Sequence, residues 1–281
     1  MRKIKIKWFG IPVFAILFAN TVEAQELRVG ASGGFAGMKY VDSEFSKGND
    51  LAFSLSYAYY LDSNWSLEIG GEIGMYNLTV KNKELSSSYA SVDSEGQAFE
   101  FRYNAADHNE KFKGNYYSIP FRVQFESEEI NNRNTRIYAS AGVRYTMHSK
   151  VESSLDVKDL NTSGYYKEWD AELHGPTFAG FGAMGDISEQ KKFKLKDSFS
   201  VLGEIGAKQY LANGNAVYIG FYATYDLDGS DSKKPELIAY NATGNGSPIK
   251  INSALGSGSD GDAFKLRMFS IGLRLKYAFN L

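Results

Sequence analysis

The chain has no cysteine. That removes a disulfide framework, a thiolate nucleophile, a thiolate metal site and a lipid-modified cysteine anchor. It also lacks an excess of positive charge: 31 Lys and Arg stand against 33 Asp and Glu, a formal net charge of -2. There is therefore no electrostatic case for a nucleic-acid partner. Apolar runs of the ~20 residues that a spanning helix needs are missing, and the mean hydropathy of -0.34 is too low for a helical membrane protein. No long stretch favours a 3.6-residue period. Aromatic side chains, by contrast, make up 15% of the 281 residues, with 19 Tyr and 19 Phe beside 28 Gly. A hydrophobic fraction of 43% excludes a disordered tail.

The first residues have their own logic. Arg2, Lys3, Lys5 and Lys7 precede an apolar run from Trp8 to Ala19, and Val22 and Ala24 then supply a small-residue cleavage site before Gln25. The expected organisation is a cleaved secretory signal peptide over 1–24 and one exported domain over 25–281.

Beyond Gln25 the period is two. Eight strands are legible: Leu27 to Gly37, Leu51 to Leu61, Trp65 to Tyr76, Tyr116 to Phe125, Ile137 to Met147, Phe199 to Tyr210, Val217 to Asp226 and Phe269 to Leu281. One face of each is apolar, as in Leu51, Phe53, Leu55, Tyr57, Tyr59 and Leu61, and carries no charge although 23% of the chain is charged. The other face is small or polar, as in Ser66, Glu68, Gly70, Glu72 and Gly74. A soluble sandwich alternates too. Strand length and the export signal decide against it, because strands of nine to eleven residues cross the hydrocarbon while sandwich strands average five or six. The expectation is an all-β, closed antiparallel up-and-down transmembrane β-barrel of eight strands, apolar outward and polar inward.

The connections fit. Leu61 to Trp65 and Ala212 to Asn215 are tight turns, while the links after Met38, Tyr76, His148 and Asp226 read as long and polar, so short periplasmic and long extracellular links alternate. Trp65, Tyr59, Tyr277 and Phe279 are expected to form an inner aromatic girdle, and Tyr117, Tyr145 and Tyr225 an outer one. Pro120, inside a strand, predicts a bulge or a break in pairing. The segment Gly175 to Ser188 is expected as a β-extension or packed loop; were it to span, Glu236 to Tyr240 could partner it and give ten strands.

The signal ending "VEAQE", the strand "YYSIPFRVQF" and the terminal "FSIGLRLKYAFNL" resemble the small outer-membrane β-barrel proteins of Bacteroidetes, similar in architecture to OmpA and OmpX barrels. The resemblance implies that the last strand carries an assembly signal read by the barrel-insertion machinery. Leu273, Leu275, Tyr277 and Phe279 match its alternation, and Leu281 departs from the usual aromatic ending. It also implies residence in the outer membrane of a Gram-negative bacterium, among outer-membrane lipid and lipopolysaccharide. Unlike full-length OmpA, no peptidoglycan-binding domain is expected to follow.

An eight-strand barrel has an interior just wide enough for side chains to fill. Glu68, Glu72, Arg122, Arg144, Glu204, Lys208, Arg274 and Lys276 all fall on inward faces and are expected to form a salt-bridged plug. Three other chemistries carry less weight. His148 adjoins Ser149, but neighbours in a strand point to opposite faces, so a catalytic pair is not expected. Gly180 to Gly185 matches a nucleotide loop in letters only. Asp226, Asp228, Asp231, Asp260 and Asp262 concentrate carboxylates in the last outer loop, yet the glycine offset is wrong for an EF-hand and a solvated loop is expected. The reading is a non-enzymatic barrel without cofactor or metal, whose outer loops meet an extracellular ligand or serve envelope integrity. A small-solute channel and an outer-leaflet lipid-modifying enzyme are the alternatives.

Overall fold

The structure is a computed structural model that describes residues 25–39, 46–130, 134–227, 236–242, 247–254 and 267–281. The expected signal peptide and its Ala24 cleavage point lie outside the described residues, as do Asp228, Asp231, Asp260 and Asp262. In chain order the strands are β1 (Gln25–Lys39), β2 (Lys47–Tyr60), β3 (Trp65–Val92), β4 (Ala98–Glu126), β5 (Thr135–His148), β6 (Lys150–Tyr166) and β7 (Ala171–Leu173). They continue with β8 (Gly182–Lys194), β9 (Ser198–Tyr210), β10 (Ala216–Asp226), β11 (Ile238–Tyr240), β12 (Ile249–Ile251) and β13 (Arg267–Asn280).

Eight of them close a ring. Each pairs antiparallel with the next in the order β1, β2, β3, β4, β5, β9, β10, β13, and β13 returns to β1 with Leu27 opposite Phe279 and Phe35 opposite Ile271. Closure leaves no free edge in the ring, the condition for strands in lipid. Because side chains alternate, one sequence pattern dictates both surfaces. Phe35, Phe53, Ile73, Ile205, Phe221, Leu273 and Leu275 point outward and are exposed, while strand neighbours such as Ala36, Ala52, Glu72, Glu204, Arg274 and Lys276 point in and are buried. The all-β barrel and its eight strands are as the alternation implied. Trp65, Tyr117, Tyr225 and Phe279 lie on the outward face of the ring.

Pro120 breaks one ladder without shifting it. On the β3 side, pairing runs to Ile69 opposite Phe121 and resumes at Glu72 opposite Ser118 in the same register. On the β5 side it is continuous through Pro120 opposite Arg144. A break, not a bulge, is the result: the imino nitrogen cannot donate, and Gly70 and Gly71 face the gap.

The links expected as long loops need correction. The link after Tyr76 is strand: β3 and β4 run on together as a hairpin, turned at its tip by Asp93, whose side chain accepts from the Glu95 and Gln97 backbone N–H groups at 2.9 Å each. Asn77 to Val92 adds roughly 50 Å of strand at ~3.3 Å per residue. The link after Met38 is also shorter than expected, since β1 continues to Lys39 and β2 starts at Lys47. The link after His148 holds β6, which pairs with the outer part of β4, and β7 and β8, which pair with β6. Gly175 to Ser188 enters β8 and extends this outer sheet, and the Glu236 to Tyr240 segment forms β11, paired with β12 rather than with the ring. The ten-strand alternative fails on these pairings.

The outer sheet has a core of its own. Phe99, Phe101, Tyr103, Leu155, Val157 and Leu160 share one face and are covered by Phe181, Ile238, Ile249 and Ile251. Tyr89 fixes the cover: it accepts from the Tyr240 N–H at 2.7 Å. Burial on this scale is what a hairpin needs to persist as strand in water, since an isolated two-stranded ribbon is marginal.

Candidate functional site

The inward faces meet in the middle of the ring. Glu68 of β3 takes Arg28 of β1 at 2.6 Å and Arg122 of β4 at 2.5 Å. One turn of the pleat higher, Glu72 takes Arg122 at 2.6 Å and Arg274 of β13 at 3.0 Å, with Arg144 at 3.8 Å. Glu204 of β9 receives Lys276 at 2.9 Å, Arg274 at 3.3 Å and the Tyr138 hydroxyl at 2.5 Å. Towards the short turns, Lys208 holds Glu26 at 2.7 Å, Glu126 at 3.0 Å and the Tyr60 hydroxyl at 2.7 Å. Arg28 joins the two groups: besides Glu68 it donates to Glu26 at 2.8 Å, Gln124 at 3.0 Å and Tyr218 at 3.0 Å. Many of these contacts, such as Arg28–Glu68, Arg274–Glu72, Lys276–Glu204 and Lys208–Glu126, run between strands that are not neighbours, so the side chains span the lumen.

The carboxylates Glu26, Glu68, Glu72, Glu126 and Glu204 nearly balance the cations Arg28, Arg122, Arg144, Lys208, Arg274 and Lys276. Buried ions are tolerable only when paired and hydrogen-bonded. Above the network Tyr76 and Tyr116 stack with ring centroids 6.5 Å apart, beside a cavity of about 30 Å³ that has room for a water or two. At the other end a cavity of about 320 Å³, lined by Tyr60, Asp62, Arg136, Lys208 and Tyr210, stops at the plug.

All eight charged residues assigned to the lumen from the sequence lie in it. Reading by strands missed Glu26 and Arg28, which precede or abut the first legible apolar residue, and Glu126, one residue past an assumed strand end. It also left unremarked Tyr60, Tyr138 and Tyr218. Their signal was parity: each sits on the polar face of its strand.

His148 and Ser149 do not meet. The Ser149 hydroxyl donates to the Lys150 carbonyl at 3.4 Å, and His148 Nε2 lies 3.4 Å from the Ser198 hydroxyl. Asp226, expected in the solvated acidic loop, is instead buried, accepting from Ser200 Oγ at 2.5 Å and the Met268 N–H at 3.2 Å. Of the residues expected to form an assembly signal, Leu273, Leu275 and Phe279 point outward on β13 and are exposed along with Leu281, while Tyr277 packs on Phe279 at 4.8 Å.

A second site lies in the outer sheet, on the face away from its core. Ser86, Asn104 and Asn161 pair across β3, β4 and β6, as do Ser88, Arg102 and Ser163, and Glu100, Tyr165 and Glu172 pair across β4, β6 and β7. All of these except Tyr165 border a cavity of about 460 Å³ that His174 also lines. Arg102 is fixed by Glu100 at 2.9 Å and Glu172 at 3.3 Å and covers the Tyr165 ring at 4.7 Å. The carboxylate hydrogen bond to Glu100 holds the guanidinium above its ordinary pKa.

The ring, its plug and the polar outer sheet define a class: β-barrels of the outer membrane. The outer membrane protein beta-barrel domain family matches residues 18–195, and the chain belongs to that family. Among solved structures, it is similar to surface protein A of Neisseria, with 12% identity over 90% of this chain and 97% of the other and a TM-score of 0.37. It is similar also to Ail, the attachment invasion locus protein of Yersinia pestis, with 13% identity, coverage of 92% and 99% and a TM-score of 0.34. OprG of Pseudomonas aeruginosa gives 14% identity, coverage of 91% and 97% and a TM-score of 0.33. A search of curated proteins finds no match.

Proposed function

We propose that the chain is a surface-recognition protein: a plugged barrel anchors it in the outer membrane and a rigid outer sheet meets a ligand outside the cell. The observation that carries this reading is the continuation of β3 and β4 beyond the ring as the frame of a second sheet with its own core, above a lumen closed by buried ion pairs. A channel needs a path, and here Arg28 and Arg274 reach across it. In this reading the protein is not an enzyme, and the separation of Ser149 from His148 supports that. Lipopolysaccharide and phospholipid contact the outward apolar rows, the insertion machinery reads β13 during assembly, and a signal peptide is removed after Ala24.

Two measurements test it together. In planar bilayers the protein should show no steady conductance. Proteoliposomes should attach to cultured cells or to isolated surface polysaccharide, and a variant with 82–109 replaced by a tight turn should lose attachment. Heat-modifiable migration in detergent gels checks that the barrel still folds. A conducting protein, or full attachment by the trimmed variant, overturns the reading.

A further inference from the structure

The polar cleft of the outer sheet has a composition that selects among ligands. Its borders carry Asn104, Asn161, Ser86 and Ser88, all exposed, with the Glu100, Arg102 and Glu172 trio beside them. Aliphatic side chains are missing from these rows apart from Ala90, so an apolar peptide anchor finds no seat. Of the nearby aromatic rings, Tyr103 lines the cleft but is buried in the core beneath it, and Tyr165 is covered by Arg102. A polyanion finds no open cation either, because Arg102 is held between two carboxylates and the trio is net negative. The carboxylates are occupied in turn: the Ser163 hydroxyl donates to Glu172 at 2.8 Å, and Arg102 and Ser88 engage Glu100.

Beside the mutually paired charges, what the cleft offers a ligand is a dense set of uncharged donors and acceptors on a fixed frame. An amide side chain donates and accepts at once, and so does a serine hydroxyl. A ligand whose hydroxyls each donate and accept, without charge, is the complement. The cavity of about 460 Å³ falls within the ~300–1,000 Å³ typical of small-ligand clefts. Ladder pairing of Asn104 with Asn161 sets the two amides side by side, and the core beneath the sheet holds their strands rigid.

We propose that this cleft binds an uncharged saccharide chain, with Asn104 and Asn161 as the direct contacts and the Glu100–Arg102–Glu172 trio as their support. The proposal rests on the surface-recognition reading and names its ligand class. The full chain in detergent micelles is titrated calorimetrically with neutral hexasaccharides of glucose, mannose, galactose and N-acetylglucosamine, and with a heparin-derived hexasaccharide as the polyanionic contrast. At least one neutral probe should bind, and the double variant Asn104→Ala/Asn161→Ala should weaken it at least tenfold while keeping heat-modifiable migration. Binding of heparin alone, no binding of any neutral probe, or unchanged affinity in the double variant overturns the proposal. Both positions are exposed, so loss of fold is not expected; Asn161→Gln, which keeps the amide, should retain more affinity than Asn161→Ala. The attachment assay separates the two levels. Attachment undiminished in the double variant defeats the cleft and leaves surface recognition standing, whereas wild-type proteoliposomes that do not attach defeat surface recognition itself.

Discussion

Arg28 is wholly buried and holds partners on β1, β2, β3, β4 and β10. Replacing it with alanine leaves the buried carboxylates Glu26 and Glu68 short of a cation. The expected cost is about 3 to 5 kcal/mol, the range for breaking a buried ion pair by removing one partner. Urea unfolding of the refolded barrel in lipid vesicles measures it, and a loss under ~1 kcal/mol would mean that water reaches the lumen. Gly74 makes a different demand. A Cβ built there would lie 2.2 Å from Tyr116 Cζ, while Gly114, opposite Tyr76, would lie 2.5 Å from the Tyr76 hydroxyl. Each tyrosine lies over the glycine across the ladder. Gly74→Val should displace Tyr116 and cost about 1 to 3 kcal/mol by overpacking, read from the same unfolding curves. The inward charges were legible as residues because parity alone assigns a side chain to a face. Their partners were not, because which Glu meets which Arg depends on ring closure and stagger, and no period encodes those.

At the scale of elements, the outer sheet is the part the sequence hid. Phe99, Phe101 and Tyr103 do alternate with Glu100 and Arg102, but serines, Lys81, Lys83 and Glu84 dilute the matching stretch of β3. Its pairing comes from β4 and from burial under β11 and β12. Glu110, in the outer part of β4, ties the cover down: it accepts from the Ala254 N–H at 2.7 Å and from the Ser153 hydroxyl, with His108 and Lys191 nearby. Burial raises its pKa above the ordinary 4.5. The folded site thus holds its proton more tightly than the unfolded chain, so its contribution favours docking below pH 4.5 and is lost as the pH climbs through the raised value. Amide exchange in residues 249–254, corrected for intrinsic rates, should show protection falling over that rise, and Glu110→Gln should flatten the dependence.

For the whole molecule, the outward rows must lie in lipid. Leu273 is 52% exposed on β13, between Gly33 of β1 and Phe221 of β10. Arginine there should cost about 2 to 4 kcal/mol at mid-depth in a bilayer. Equilibrium refolding into vesicles checks it, and unaltered stability would place the residue away from the hydrocarbon. The architecture of the ring was readable at this scale because an eight-strand wall repeats one alternation eight times, so errors at single strands do not alter the answer. The accessory strands carry no such redundancy. Gly175 to Ser188, small or apolar on both faces, could be placed only by the partner it found in β6.

β3 and β4 each pass without interruption from the ring to the outer tip, and the same two strands carry Glu68, Glu72 and Arg122 at their base. A pull on the tip therefore runs along the strand axes, where many backbone hydrogen bonds are loaded in parallel rather than peeled one by one. The load ends at ionic clamps braced against the opposite wall, so under the surface-recognition reading proposed above the anchor is strongest in the direction in which a bound ligand would pull.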